Sequence, residues 1–257
     1  MTTFQRETLQ VNGVNVVMLT AGNGPPLLFL HGAGTWHGFD FALPWAADHR
    51  VLIPYHPGWG ESGDSEAMTT VHDYVMHYLE LIDQLGLDQV DLVGLSMGGR
   101  MAATFTAEHR RRVRKLALVA PAGLNVPAYP LTDFSKIAPQ DIPGYLTEDV
   151  PALLSHMPEN PGPELQAARD REGGNFFKLL STGLADPKFS RWLHRVTVPA
   201  LLVWGEKDRT TPIQQADAWM KAIPGLQFRK FPGAGHLVLD EKPEAVAAIG
   251  EFVARAV

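Results

Sequence analysis

Six short apolar runs, each stopped by a glycine or proline, constrain this chain most. Pro26–Leu30 halts at His31-Gly32, Arg50–Ile53 at Pro54, and Val90–Val93 at Gly94. Leu116–Val119 ends just before Pro121, Ala200–Trp204 at Gly205, and Leu226–Phe231 at Pro232. Runs that are apolar on both faces suit parallel strands buried from both sides. Helix-period stretches lie between them. Over Thr70–Leu85 the spacing sets Val71, Tyr74, Val75, Tyr78, Leu79 and Ile82 on one face, and Gly86 ends the segment. Gly98–His109, Ile213–Ile223 and Pro243–Val257 read as further helices, the last with proline in its first turn. Ahead of the alternation, Arg6–Val11 and Val14–Thr20 flank Asn12-Gly13, a two-residue hairpin turn that needs positive φ at both positions. The pattern predicts the α/β class: a doubly wound, mostly parallel sheet of about eight strands, opened by an antiparallel N-terminal hairpin.

One stretch breaks the alternation. No apolar strand appears from Leu124 to Arg195, and nine of the twenty prolines fall between Pro121 and Pro163. Helical pieces are expected at Val150–His156, Glu164–Arg171 and Asn175–Leu180, separated by proline and glycine. The aromatics Tyr129, Phe134, Tyr145, Phe176, Phe177 and Trp192 argue for a packed insertion. The expected organisation is a core of residues 1–123 and 196–257 with a helical cap, or lid, of residues 124–195.

Composition narrows the function classes. The 257 residues hold no cysteine, which removes disulfide scaffolds, thiolate nucleophiles and thiolate metal sites. The net charge of −6 gives no reason to expect a nucleic-acid partner. The basic run His109–Lys115 closes a helix, where cations suit the dipole, and has no interleaved aromatics. A polar N-terminus and the absence of a long apolar stretch point away from a membrane and toward a cytoplasmic protein. No histidine spacing suggests a metal. Gly58-Trp59-Gly60-Glu61-Ser62-Gly63 formally fits a dinucleotide fingerprint, but Pro54 and Pro57 precede it and no helix follows directly.

The segment Gly94-Leu95-Ser96-Met97-Gly98-Gly99 carries chemistry. It follows a buried strand and opens a helix, as a nucleophile elbow requires. The turn crowds the residues two before and two after the serine, and Gly94 and Gly98 are small enough. Ser96 then needs an adjacent base. His236, on the glycine-flanked loop after the last strand, has the right topological place. A carboxylate should hold its tautomer. Asp208, after the preceding strand, is the first choice and Glu206 the fallback; Asp208 also suits a helix N-cap before Thr210–Pro212. The oxyanion of an acyl transfer needs N–H donors. Met97 and Ala33 are expected to supply them, with Gly34 second to Ala33. His31 is expected to brace that loop. Trp36, Phe39 and Phe41 fit either a pocket wall or the core, and His37 and His56 lie near the expected site.

His31-Gly32, Pro57–Ser62, Gly94–Gly99, Trp204–Asp208 and Gly235-His236, in that order, resemble the α/β-hydrolase fold family over about residues 6–255 apart from the lid. The resemblance implies Ser96 as nucleophile, His236 as base, Asp208 as acid, and a cap between the sixth and seventh core strands. Haloalkane dehalogenases and epoxide hydrolases use an aspartate nucleophile, where this elbow has Ser96. The elbow and the His-Gly-Ala-Gly loop are similar to carboxylesterases and to carbon–carbon bond hydrolases of ring-cleavage products. The latter usually place an aromatic after the base, where this chain has Leu237, and an arginine in the cap, for which Arg169 and Arg171 are the candidates. The expectation is a cofactor-free carboxylic ester hydrolase acting on a small molecule with an apolar or aromatic part. Hydrolysis of a vinylogous diketone acid is the alternative, and a ligand receptor on a hydrolase scaffold a further one.

Overall fold

The computed structural model describes residues 2–255 apart from Glu159, Pro161 and Ala185. Eight strands form one sheet: β1 (Gln5–Val11), β2 (Val14–Ala21), β3 (Pro26–Leu30), β4 (Arg50–Pro54), β5 (Val90–Leu95), β6 (Val113–Val119), β7 (Ala200–Gly205) and β8 (Gln227–Phe231). Their spatial order is β1-β2-β4-β3-β5-β6-β7-β8. β1–β2 and β2–β4 pair antiparallel, and the other neighbours pair parallel. The hairpin turn has φ of 49° at Asn12 and 77° at Gly13, as its sequence requires.

The both-sides-apolar reading holds for the central strands. All six residues of β5 and all six of β7 are buried. Residues alternate between two core layers. Leu28, Leu30, Leu92 and Leu116 face one layer, while Leu27, Phe29, Val93 and Ala117 face the other. β8 departs from expectation: it is an edge strand, with Gln227, Arg229 and Lys230 exposed. Charge on an edge strand discourages further strand pairing.

Helices α1 (Val71–Gln84) and α2 (Met97–Glu108) pack against the first layer. Thr70 and Asp73 form a reciprocal capping box at the start of α1. Between β6 and β7 lie α3 (Pro143–Leu146), α4 (Val150–Ser155) and α5 (Pro163–Ser181). Two helical pieces expected there are one continuous helix, because Gly173 and Gly174 do not break α5. Asn175 Nδ2 donates to the Gly58 carbonyl at 3.0 Å and the Glu172 carboxylate accepts from Gly60 N–H at 2.9 Å, so the residues flanking the glycine pair are tied down. The chain closes with α6 (Ala216–Ala222), α7 (Val238–Glu241) and α8 (Pro243–Ala254). The expected helix over Ile213–Ile223 is a 3-10 turn, Ile213–Gln215, followed by α6. Of the last expected helix, Ala256 and Val257 lie outside the described residues, as does Met1 of the N-terminal segment. Among the described residues no helix is long and apolar enough to cross a membrane.

The end of β7 meets the loop after β8 with no space between. A Cβ on Gly205 would fall on the carbonyl oxygens of Ala234 and Gly235. Gly205→Ala should therefore cost roughly 1–3 kcal/mol, the usual range for an overpacked site, read from urea denaturation midpoints. It should also lower activity, because it separates the Asp208 and His236 loops.

Candidate active site

The turn from β5 into α2 is one residue long. Ser96 sits there at φ 54° and ψ −116°, a conformation a non-glycine residue adopts only where its surroundings impose it. Its N–H donates to the Val119 carbonyl at 2.9 Å, and its carbonyl accepts from Arg100 N–H at 3.1 Å and Ala122 N–H at 3.0 Å. Neighbouring glycines allow the crossing. A Cβ on Gly94 would fall on the Gly98 carbonyl, and one on Gly98 on the carbonyls of Leu30 and His31. α2 thus packs directly on the end of β3, and its N-terminus faces the cavity above.

That cavity, of about 550 Å³, is lined by both Ser96 and His236. His236 Nδ1 lies 2.8 Å from Asp208 Oδ2, with both side chains buried. The Asp208 carboxylate accepts four other hydrogen bonds. The N–H groups of Thr210 and Thr211 bind Oδ1 at 2.8 and 2.9 Å, while Trp204 Nε1 and the Thr211 hydroxyl bind Oδ2 at 3.0 and 2.7 Å. No helix begins at Thr210, so Asp208 caps a turn there rather than the helix expected, while also holding His236. With Nδ1 toward the carboxylate, Nε2 is the nitrogen left for the cavity. Among the hydrogen bonds of the described residues none joins Ser96 Oγ to the imidazole, and unliganded sites are often loose in this way. Glu206, the fallback acid, is exposed and pairs with Lys230 at 2.8 Å.

Ala33 and Gly34 line the same cavity, and Met97 lies buried at the start of α2. The loop after β3 is pinned from behind. Trp59 Nε1 donates to the Ala33 carbonyl at 2.9 Å. His56 N–H donates to His31 Nε2 at 3.0 Å, and His56 Nε2 lies 2.9 Å from the His31 carbonyl. An accepting Nε2 leaves the His31 proton on Nδ1, which donates to the Gly32 carbonyl at 2.7 Å. His31 therefore braces the loop. Burial, with His56 adjacent, pushes its pKa well down, and burial pushes His56 down to about 3.

Trp36, Leu237 and Arg169 line the cavity, and the Arg169 guanidinium lies 5.7 Å from the Trp36 ring centre. Phe39 and Phe41 do not; they pack edge-on against Phe29 at 6.1 and 5.6 Å in the core. Arg171 is the candidate that the structure does not bring to this cavity. Its Nη2 donates to the Gly60 carbonyl, and it faces Asp64 across a separate surface recess. Two positions from Arg169 on α5 it points another way, as helix geometry requires.

Sequence reasoning missed Glu172. This buried carboxylate from α5 lines the cavity and accepts from Thr35 N–H at 3.2 Å, the Thr35 hydroxyl and Gly60 N–H at 2.9 Å. It clips the β6–β7 segment to the loops after β3 and β4. Nothing in a surface-like Asp170-Arg171-Glu172 run signals this; the signal lies in partners far along the chain. Phe176 and Phe177 of α5 also line the cavity, as do Phe134, Ile137 and Ile142. No group of three or more potential metal ligands occurs among the described residues.

Residues 27–249 match the family model described as the alpha/beta hydrolase family. The chain belongs to the alpha/beta hydrolase family. Among its family relatives it is 27% identical over 266 residues to a 2-hydroxy-6-oxononadienedioate/2-hydroxy-6-oxononatrienedioate hydrolase of Klebsiella pneumoniae subsp. pneumoniae, covering 95% of this chain and 89% of that protein. It is 26% identical over 255 residues to monoacylglycerol lipase abhd6-B of Xenopus laevis, covering 89% of this chain and 74% of the lipase. Its fold resembles that of a serine hydrolase involved in carbazole degradation, the CarC enzyme, with a TM-score of 0.79, 25% identity, and coverage of 98% and 99% of the two chains.

The neutral His31 and His56 set a direction for this hydrolase's acid stability. Both have folded-state pKa values below the ordinary 6.5, so the unfolded chain takes up protons first as pH falls. The His56 contribution is present above pH 6.5 and is lost progressively toward about pH 3, and that of His31 is lost in the same direction. The neutral His56 should remove about 1 kcal/mol per pH unit below its unfolded value. Urea midpoints measured between pH 7 and pH 5 should fall, and His56→Asn should flatten that slope by about one proton.

Proposed function

We propose that the protein is a serine hydrolase cleaving a small carboxylic ester, with residues 124–195 acting as a cap over the core of residues 1–123 and 196–257. The observation that carries this reading is that Ser96 and His236 share one cavity while Asp208 holds the far side of the imidazole. His236 Nε2 takes the hydroxyl proton as Ser96 Oγ attacks the substrate carbonyl carbon. The N–H groups of Met97 and Ala33 stabilise the oxyanion, each worth about 3 kcal/mol in the transition state. Collapse breaks the ester C–O bond, and the leaving alkoxide takes the proton from the imidazolium. Water, deprotonated by the same nitrogen, then releases the acyl group as a carboxylate and restores Ser96. No metal or organic cofactor enters these steps.

The cavity wall supports an apolar or aromatic acyl part. Trp36, Phe134, Ile142, Phe176, Phe177 and Leu237 surround the space next to Ser96. Arg169 is the one guanidinium among the lining residues, so the wall offers no second guanidinium to hold a dicarboxylate.

A second reading, carbon–carbon bond hydrolysis of a vinylogous diketone acid, is favoured by one observation. Arg169 reaches the cavity, where it could bind a substrate carboxylate, and several relatives carry ring-cleavage hydrolase names. Arg169→Met separates the two. It should leave a neutral nitrophenyl ester unaffected, whereas under the second reading it should raise KM for a ring-cleavage product. Higher kcat/KM on the ring-cleavage product than on any ester would replace the first reading by the second.

Ser96→Ala should lower ester turnover by on the order of ten-thousandfold or more while leaving the thermal midpoint unchanged, since it removes the nucleophile and little packing. Asp208→Asn should cost a comparable factor in kcat, because an amide stabilises the wrong imidazole tautomer. Full activity in either variant with nitrophenyl butyrate would defeat the mechanism.

A further inference from the structure

A second cavity, of about 700 Å³, runs along α2 and shares no lining residue with the first. Its wall includes Arg100, Thr104, Thr182, Phe189, Trp192 and Arg195. Arg100 is unusual among them. It is only 5% exposed, its Nε and Nη1 have no acceptor, and no carboxylate lies within ion-pair distance among the described residues. The guanidinium carbon instead stacks 3.2 Å from the Phe189 ring centre. Gly123 leaves room for the stem: at φ +113° it lies where a Cβ would meet Arg100 Cδ.

Two buried guanidinium nitrogens without acceptors are costly, and native structures rarely leave them so. Burial lowers the Arg100 pKa to about 10, which keeps it cationic at neutral pH. Glu108 and Asp186 line the same cavity, and neither makes an ion pair with Arg100 among the described residues. Glu108 pairs with His72 at 3.2 Å, and Asp186 Oδ1 accepts from Lys188 N–H at 2.8 Å. Arg195 adds a second guanidinium, its Nε donating to the Ala107 carbonyl at 2.9 Å. Beside these cations, Val71, Pro187 and the 60% exposed Trp192 give the cavity an apolar, partly aromatic side. Trp192 is the most exposed large apolar side chain of the described residues.

We propose that this cavity is a second ligand site, distinct from the one holding Ser96, that takes a small arylcarboxylate. The carboxylate meets Arg100, whose planar donor array matches its geometry. The aromatic body lies against the exposed Trp192. The site is independent of the chemistry proposed at Ser96, although Arg100 stands one helical turn from that residue and its N–H donates to the Ser96 carbonyl.

Calorimetric titration of the full chain with phenylacetate tests this. Saturable binding is expected to the unaltered protein and to Arg169→Met, and none to phenylacetamide, which lacks the charge. Arg100→Met and Trp192→Ala should each weaken binding by at least about tenfold. Because Trp192 is exposed, Trp192→Ala keeps the test decisive if Arg100→Met fails to fold. Absence of saturable binding would overturn the proposal and leave Arg100 as a packing residue stacked on Phe189. Binding that survives Trp192→Ala but is lost in Arg169→Met would also overturn it, by locating phenylacetate in the first cavity. Inorganic phosphate titrated in parallel should bind more weakly than phenylacetate; tighter phosphate binding would overturn the arylcarboxylate assignment.

Discussion

The architecture depends on how closely backbone can approach backbone at the β5–α2 turn. A strand buried on both faces must give way to a helix within one residue, and the helix must rest on the end of β3. Only glycine at positions 94 and 98 lets the carbonyls of Gly98, Leu30 and His31 occupy the space where a side chain would begin. That contact fixes Ser96 in its strained conformation, held by hydrogen bonds to Val119, Arg100 and Ala122. The strain persists because packing on three sides over-determines it. It also brings the loop after β3, with Ala33 and Gly34, alongside the start of α2.

The same device recurs at the neighbouring strand ends. Gly205 lets the end of β7 touch the Ala234–Gly235 backbone, so the loops bearing Asp208 and His236 lie together. Once adjacent, the carboxylate is fixed by Trp204, Thr210 and Thr211 before it meets the imidazole. An acid held in this way orients a histidine without itself needing to move. A parallel sheet delivers its strand ends to one edge, so residues more than a hundred positions apart in sequence line a single cavity.

The segment between β6 and β7 is joined to the core by polar clips and by buried side chains such as Leu179, Leu184 and Leu193, not by a sheet ladder. Glu172 reaches Thr35 and Gly60, Asn175 reaches Gly58, and Arg171 reaches Gly60. The turn over Pro57–Ser62, with its dinucleotide-like glycines, is the docking surface for these clips, and Trp59 passes the contact on to Ala33. Those glycines serve turn geometry: Gly58 and Gly60 have φ of 87° and 52°. One side of α5 thus lines the cavity that holds Ser96, with Phe176, Phe177 and Arg169, while neighbouring residues anchor it.

Much of this was legible in the sequence, because it follows from local rules. The apolar runs and their stops gave the strands to within a few residues, Asn12-Gly13 gave the hairpin, and the Gly94–Gly99 turn named its serine. β8 falls among the apolar runs although its own Gln227, Arg229 and Lys230 mark an edge strand, and α5 passes through a glycine pair that local propensity reads as a break. Which arginine of α5 turns inward, which aromatics after β3 are wall and which are core, and why Glu172 is buried were decided by tertiary structure alone. So was the placing of Arg100 in a cavity apart from Ser96. The physical reason is common to all of them. Strand, turn and helix arise from interactions within a few residues, whereas burial, partners and direction depend on which distant segments pack together.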